Sequence, residues 1–458
     1  MSAPSVLRID IDAQSHDGRG VGRVNGKAAF VAGALAGETV EAVLHKSHRR
    51  HDEYRLRAVI VAAAERVEAR CPLVGRCGGC DLQHQSPAAQ VDHKTRVVLD
   101  LLKRQGGIVP VELAEPIVSP AFGYRRRARL AVSTDRGDAR VGARVGARVG
   151  TRVGFREAAG TGVVAVDRCV VLAPPLAPLP GRLQAAVAGL RRPRDVGHIE
   201  LGLSESRDGA IHPLIHVHVA GSLDAADRDR LMTVAREAAT YLSIGGPGGR
   251  LDDVYRPVAE EPGYLLPEFD LRIGYRPGDF LQGNGEVNRR LVGRLVDWLG
   301  EPNGRRLLDA FAGVGNFALA LARRGFRVLA LEGDAAMVDR GRANADANGL
   351  DTVEFAQRNL TAPAPLEGVG PVDVALLDPP RTGALALVEA LAARPVATVA
   401  YVSCAPATFA RDAAALAAAG YRLQRLCLVD MFPQTGHIEV LAAFGFSGRP
   451  RRRRKQTR

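Results

Sequence analysis

Two apolar runs in the last third of the chain end in groups that can do chemistry. Thr398–Ser403 reads as a strand and is followed by Cys404-Ala405-Pro406. Val372–Asp378 reads as another and is followed by Pro379-Pro380-Arg381. Proline has no backbone N–H to give to a ladder, so both strands stop sharply. Asp378 and Cys404 then fall at the carboxyl edge of a sheet, where open α/β folds bind their ligands. A thiol in such a cleft is a candidate nucleophile. Its ordinary pKa of about 8.5 means that it must be activated by its surroundings or lose its proton during attack. Most lone cysteines are inert packing, and Cys427, inside Leu426-Cys-Leu-Val, fits that description. The last strand begins His437-Ile438-Glu439, and alternation puts His437 and Glu439 on one side, with Glu439 facing the cleft.

The ligand loop is Leu307-Leu-Asp-Ala-Phe-Ala-Gly-Val-Gly-Asn-Phe317. An apolar strand ends in Asp309, turns through Gly313 and Gly315, and enters a helix at Asn316. Glycines let the backbone approach a ligand closely at a helix N-terminus. The third glycine of the dinucleotide fingerprint is absent, since Ala318 follows Phe317, which argues against a nicotinamide cofactor. The next strand ends in Glu332, 17 residues after Gly315. An acid there can accept hydrogen bonds from both hydroxyls of a ribose.

A third constellation is Cys71-x5-Cys77-x2-Cys80, with Cys169 far downstream. Structural zinc usually shows paired C-x2-C knuckles, and here there is one. Three close thiols and one distant thiol suit an iron–sulfur cluster better, which takes four cysteine ligands.

These groups need elements to hold them. Residues 276–446 alternate strands and helices as a doubly wound α/β sheet does, with strands at Arg306–Asp309, Arg327–Glu332, Val353–Ala356, Val372–Asp378, Thr398–Ser403, Tyr421–Asp430 and His437–Phe444. Residues 1–64 hold five short alternating strands split by glycine-rich turns, the pattern of a compact OB-like β-barrel. The basic turn His45-Lys-Ser-His-Arg-Arg-His51 suits a nucleic-acid contact there. Residues 65–275 read as a central α/β domain carrying the cysteines, a helix from about Pro87 to Arg104, and a tract, Ala139–Gly154, that repeats Arg-Val-Gly. Residues 447–458 form a basic tail.

Composition narrows the partners. The net charge is +12, and seven positive charges sit in residues 449–458 alone. That excess favours a polyanion such as nucleic acid. No run approaches the ~18 apolar residues of a membrane span. The first twelve residues lack a signal-peptide pattern. A cytoplasmic monomer is expected.

Together these residues resemble one family, the RNA uracil-C5 methyltransferases that act on 23S ribosomal RNA, and the resemblance covers nearly the whole chain. It implies a Rossmann-like S-adenosylmethionine methyltransferase domain, an N-terminal TRAM barrel, and a [4Fe–4S] cluster on Cys71, Cys77, Cys80 and Cys169. Asp279-Phe-Leu-Gln-Gly-Asn284 is similar to the family's F-x-Q-x-N segment and places Gln282 at the cofactor. The family's other cofactor contacts fall on Phe311, Asn316, Glu332, Asn359 and Asp378, its nucleophile on Cys404 and its base on Glu439. The partner so implied is 23S ribosomal RNA. The same chemistry on another rRNA or tRNA uridine, and a noncatalytic RNA-binding assembly factor, are the alternatives. The pairing of Cys404 with Glu439 argues against the second.

Overall fold

Alternation of apolar residues decides the first sixty positions. In the computed structural model, which describes residues 5–134, 150–246 and 251–448, β1 (Val6–Gln14), β2 (Gly20–Val24), β3 (Lys27–Ala32), β4 (Thr39–Ser47) and β5 (His51–Val61) close into a barrel in the order β1-β2-β3-β5-β4. Every second side chain points inward, so Ile9 with Ile11, Ala29 with Val31, and Val40 with Ala42 make the core, joined by Ala34 and Tyr54. The basic turn is tighter than the sequence suggests: β4 runs to Ser47 and β5 starts at His51, leaving only residues 48–50 to turn. The Arg-Val-Gly tract up to residue 149 and the basic tail 449–458 lie outside the described residues.

The chain packs as two compact units. The first comprises residues 1–97, 155–164 and 432–437. It contains the barrel, the cysteine-bearing segment and the start of α1 (Pro87–Gly106). Inside it, one buried amide ties three stretches of chain. Gln90 Nε2 donates to Leu82 O (3.0 Å), Gln85 O (2.8 Å) and Gln434 Oε1 (3.0 Å), while its Oε1 accepts from Gln434 N (2.8 Å). A fully used buried amide fixes its neighbours, because losing any one bond would strand a desolvated group.

The second unit holds three sheets. Its elements begin with β6 (Glu112–Ile117) and β7 (Arg127–Ser133), then most of β8 (Arg152–Arg156) and, after β9 (Val163–Ala165), which falls mainly in the first unit, α2 (Leu179–Ala188), β10 (Val196–Glu205), β11 (Ile211–Val219), α3 (Ala225–Glu237), β12 (Tyr241–Gly245) and β13 (Leu251–Tyr255). One sheet runs β13-β12-β11-β10-β7-β8. A separate hairpin follows, β14 (Gly263–Leu266) with β15 (Leu271–Gly274).

The largest sheet carries Asp309, Glu332, Asp378, Cys404 and Glu439 on or beside its strands. After α4 (Gly285–Leu299) come β16 (Arg306–Ala310), α5 (Ala318–Arg323), β17 (Arg327–Glu332), α6 (Ala335–Ala347), β18 (Val353–Gln357), β19 (Val374–Leu377), α7 (Leu385–Ala393), β20 (Thr398–Ser403), α8 (Pro406–Ala418), β21 (Tyr421–Val429) and β22 (Glu439–Phe446). The strand order is β18-β17-β16-β19-β20-β22-β21-β6, with β22 antiparallel to both neighbours. The central strands are largely apolar, as a sheet buried on both faces requires, and all four residues of β19 are fully buried. The chain order reverses between β16 and β19, which opens a ligand crevice at their carboxyl ends. Two boundaries differ from the sequence reading. The helix after the glycine loop starts at Ala318 rather than Asn316, and the last strand starts at Glu439 rather than His437. The sequence reading of the sheet also omitted β6, which pairs with β21 through Arg425↔Glu112.

Candidate active site

Register puts the acids, the thiol and the base on one face of one edge. Asp309 of β16 lies level with Ala330 of β17 and Leu376 of β19. Two residues further on, on the same face, stand Glu332 and Asp378. Leu376 lies level with Ala400 of β20, and Cys404 is two alternations beyond it, again on that face. On β22 the antiparallel pairs Val402↔Leu441 and Ser403↔Val440 lead directly to Cys404 opposite Glu439. Four parallel strands and one antiparallel strand thus bring five groups to one rim.

The glycine loop is built by its backbone. Phe311 N and Ala312 N both donate to Leu331 O (2.9 and 3.1 Å). Phe311 sits at φ +67°, a left-handed conformation that a bulky residue adopts only under constraint. Gly315 sits at φ +101°, and a Cβ there would lie 2.9 Å from Leu319 Cγ and 3.0 Å from Phe355 Cζ, so only glycine fits. Glu332 holds the loop from the next strand. Its Oε2 accepts from Gly313 N (3.0 Å) and its Oε1 from Gly333 N (2.7 Å) and Asp334 N (3.0 Å). A carboxylate has about four acceptor positions, so one remains for a ligand.

Asn316 is more tightly bound than the sequence reading anticipates. Its Oδ1 accepts from Tyr264 Oη and Asn288 Nδ2 (both 2.9 Å), and its Nδ2 donates to Asn288 Oδ1 (3.0 Å). The side chain has one N–H left, and its main offering to a ligand is the backbone. Asn359 is exposed after β18, where its Oδ1 accepts from Thr361 N (3.0 Å) and Thr361 Oγ1 (2.8 Å). Gln282 is buried in the loop before α4. Its carbonyl accepts from Arg126 Nε (2.7 Å). Arg126 is itself buried, packs its guanidinium 4.6 Å from the Tyr264 ring, and has its pKa lowered by burial. Phe280, the aromatic of the F-x-Q-x-N segment two residues before Gln282, is 62% exposed, whereas Arg126 has no motif in the sequence to mark it.

The edge is electrostatically negative. Burial pushes the Asp378 carboxyl up to about 7. Asp309 is raised well above the usual carboxylate range, first by burial and then by the charge of Asp378. The Cys404 thiol is half-buried and pushed up to about 11, by burial first and then by the negative charges of Glu439 and Asp378, with Arg381 opposing. Glu439 is 6% exposed at the first position of β22. A cleft of this sign suits a cationic ligand, and it stores the cysteine as a neutral thiol. His437 precedes the strand, within the first unit, with its ring against Phe432 (5.6 Å, edge-on).

Cys71, Cys77 and Cys80 lie in an irregular segment of the first unit, all three half-buried and in no disulfide. Turn bonds shape it: Val74 N to Cys71 O (3.3 Å) and Cys77 N to Leu73 O (2.8 Å). Cys71 N donates to Gln83 Oε1 (3.1 Å). Three thiols within ten residues form a soft donor set that fits an iron–sulfur cluster. Cys169 belongs to the second unit, where it is half-buried and its N–H bonds Ala177 O (3.1 Å).

The class emerges first from family models. The tRNA (Uracil-5-)-methyltransferase model matches residues 268–362 and 371–443, the glycine loop and the thiol-bearing edge included. The TRAM domain model matches residues 5–59, the barrel. Full-length relatives then fix the family. The chain is 40% identical over 445 residues to a Pseudomonas putida 23S rRNA (uracil(1939)-C(5))-methyltransferase RlmD, spanning 95% of this chain and 93% of that one. It is 41% identical to the Alkalilimnicola ehrlichii protein of the same name, covering 96% of both. The chain belongs to this family of 23S rRNA (uracil-C5)-methyltransferases. A solved structure of Pyrococcus abyssi tRNA (uracil-54, C5)-methyltransferase in complex with S-adenosyl-L-homocysteine shares the fold, with a TM-score of 0.69 at 23% identity over 96% of this chain and all of that one.

Proposed function

We propose that the protein methylates carbon 5 of a uridine in 23S ribosomal RNA, with Cys404 as nucleophile and Glu439 as base. The observation that carries this is the meeting of Cys404 and Glu439 across the β20–β22 edge, beside Asp378 and the Gly313–Gly315 loop. S-Adenosylmethionine supplies the methyl group. Gln282, Phe311, Asn316, Glu332, Asn359 and Asp378 are the residues proposed to hold it. For Glu332 this means the one acceptor position left after its three backbone bonds. For Asn316 it means the backbone and one amide hydrogen.

The chemistry follows from the weakness of uracil C5 as a nucleophile. The sulfur of Cys404 bonds to C6 and the thiol loses its proton, so the ring electrons move toward C5 and O4 as an enolate. C5 then takes the methyl group as the methyl's bond to the donor sulfur breaks, which leaves a neutral thioether. Glu439 removes the C5 proton, the C5–C6 double bond re-forms, and the C6–S bond breaks to return the thiolate. A thiol pushed up to about 11 does not attack as a preformed anion at neutral pH, so its proton leaves as the S–C6 bond forms. A uracil inside an RNA stack cannot reach this rim, so the target nucleotide flips out. The exposed Phe280 is proposed as a stacking surface for it.

Cys71, Cys77 and Cys80 are proposed to hold a [4Fe–4S] cluster, with Cys169 as the fourth ligand on the spacing in the sequence and the family resemblance. The barrel, with its basic turn, and the basic tail are proposed RNA contacts. One experiment tests the whole reading. The protein is incubated with labelled methyl donor and total RNA, and the labelled nucleotide is mapped. Label at C5 of a 23S rRNA uridine is expected. Label on tRNA alone, or on no RNA, overturns it.

A further inference from the structure

The mechanism above makes no use of Asp309, yet Asp309 is the most isolated charge-bearing group in the sheet. It is fully buried, and among the described residues neither carboxyl oxygen has a hydrogen-bond partner. The Ala318 amide at the start of α5 is near enough to favour the charged form but makes no hydrogen bond of normal geometry. The groups that act on Asp309 from the flanking strands are both acids, Asp378 at the end of β19, its own carboxyl pushed up to about 7, and Glu332 at the end of β17. Further along the same rim stand Cys404, a neutral thiol, and Glu439, another acid. No cation among the described residues balances this group.

An ionised carboxylate in that position is prohibitively costly, whereas a neutral acid costs only the desolvation of a polar group. The balance changes when a cation enters the crevice beside it. S-Adenosylmethionine carries a sulfonium and an ammonium against one carboxylate. We propose that Asp309 is a proton-coupled positioning residue: it is a neutral acid while the cleft is empty, and it gives its proton to solvent as the cationic methyl donor binds. The proton leaves the Asp309 oxygen for buffer, and the resulting carboxylate sits among Asp378, Glu332 and the new positive charges. The product, S-adenosylhomocysteine, has lost the sulfonium. It therefore holds the Asp309 anion less well, and reprotonation of Asp309 favours its departure. The cleft thereby distinguishes donor from product by charge as well as by the methyl group.

This inference rests on the assignment of Glu332 and Asp378 to the methyl donor, and the test separates the two. Binding of S-adenosylmethionine to the full chain is measured by calorimetry in two buffers of unlike ionisation enthalpy, stepping pH from about 6 to about 8. Release of close to one proton per ligand is expected, with affinity rising about tenfold per pH unit where Asp309 is neutral in the free protein. S-Adenosylhomocysteine should release fewer protons and show a shallower slope. Asp309→Asn, which keeps the size of the neutral acid, should bind without proton release and lose most of the preference for donor over product. Should that variant not fold, Asp378→Asn answers instead, because release that survives there belongs to Asp309. Failure of the donor to bind the wild-type chain would sink the cofactor assignment. Donor binding with no proton released, or release that survives Asp309→Asn and vanishes in Asp378→Asn, would sink this inference alone.

Discussion

Cys404 should be a slow thiol, and Glu439 should be one cause. Its pKa is pushed up to about 11, against about 8.5 for an ordinary cysteine. At pH ~8 roughly one molecule in a thousand then carries the thiolate, compared with about a quarter for a free thiol, a ratio of some 200-fold. Alkylation by iodoacetamide, followed by mass spectrometry of the Cys404 peptide, reads this directly. The rate should still climb about tenfold per unit above pH ~8, because the thiolate fraction keeps rising toward the pKa. Glu439→Gln removes one of the two carboxylates that raise the thiol. Burial is the larger cause, so removing the Glu439 charge restores only part of the lost reactivity. The variant should be alkylated some three- to tenfold faster at pH ~8. Poor access to the half-buried sulfur lowers both rates alike, so the ratio isolates the charge. A rate that levels off below pH ~8, or a Glu439→Gln chain alkylated no faster than wild type, would refute the electrostatic account.

Four further outcomes are expected. Glu439→Gln should still add to uracil and transfer methyl but stall at release, so a methylated protein–RNA adduct should persist through a denaturing gel; Cys404→Ala should give none, and a Cys404→Ala chain that still methylates would refute the mechanism. Gly315→Ala should cost about 1–3 kcal/mol in a denaturant titration, since its Cβ meets Leu319 and Phe355 at a positive φ; a change under ~0.5 kcal/mol would mean that the loop relaxes at little cost. Anaerobically purified protein should be brown and contain iron and sulfide, and Cys169→Ala should lose them; stoichiometric zinc without iron would count against the cluster. Deleting residues 449–458 should flatten the salt dependence of RNA binding, each lost phosphate contact removing roughly 0.7–0.9 from the log–log slope, with turnover at saturating RNA little changed.

Much of this protein is local in origin. The alternation of Ile9 with Ile11 and Val40 with Ala42 is enough to specify the barrel strands, because side-chain period is a property of the strand itself. The apolar runs stopped by Pro379 and Pro406 are enough to put Asp378 and Cys404 at one edge, because proline ends a strand wherever it stands. The cysteine spacing and the Gly313–Gly315 loop are legible for the same reason. Tertiary structure alone decided the rest. Glu112–Ile117 became the last strand of the catalytic sheet through a partner some three hundred residues away, which no local pattern encodes. The Asn316 side chain is spent on Asn288 and Tyr264, so its type advertised a ligand contact that its neighbours largely pre-empt. Cys404 could be read as a nucleophile from its place, but not as a suppressed one, since its pKa depends on burial and on Glu439 arriving from another strand. Asp309 looked like the end of an apolar strand. Its isolation came from the packing of β16 between β17 and β19 with an acid at the end of each. Periodicity and proline act along the chain, whereas desolvation and charge act through space, and only the fold sets those distances.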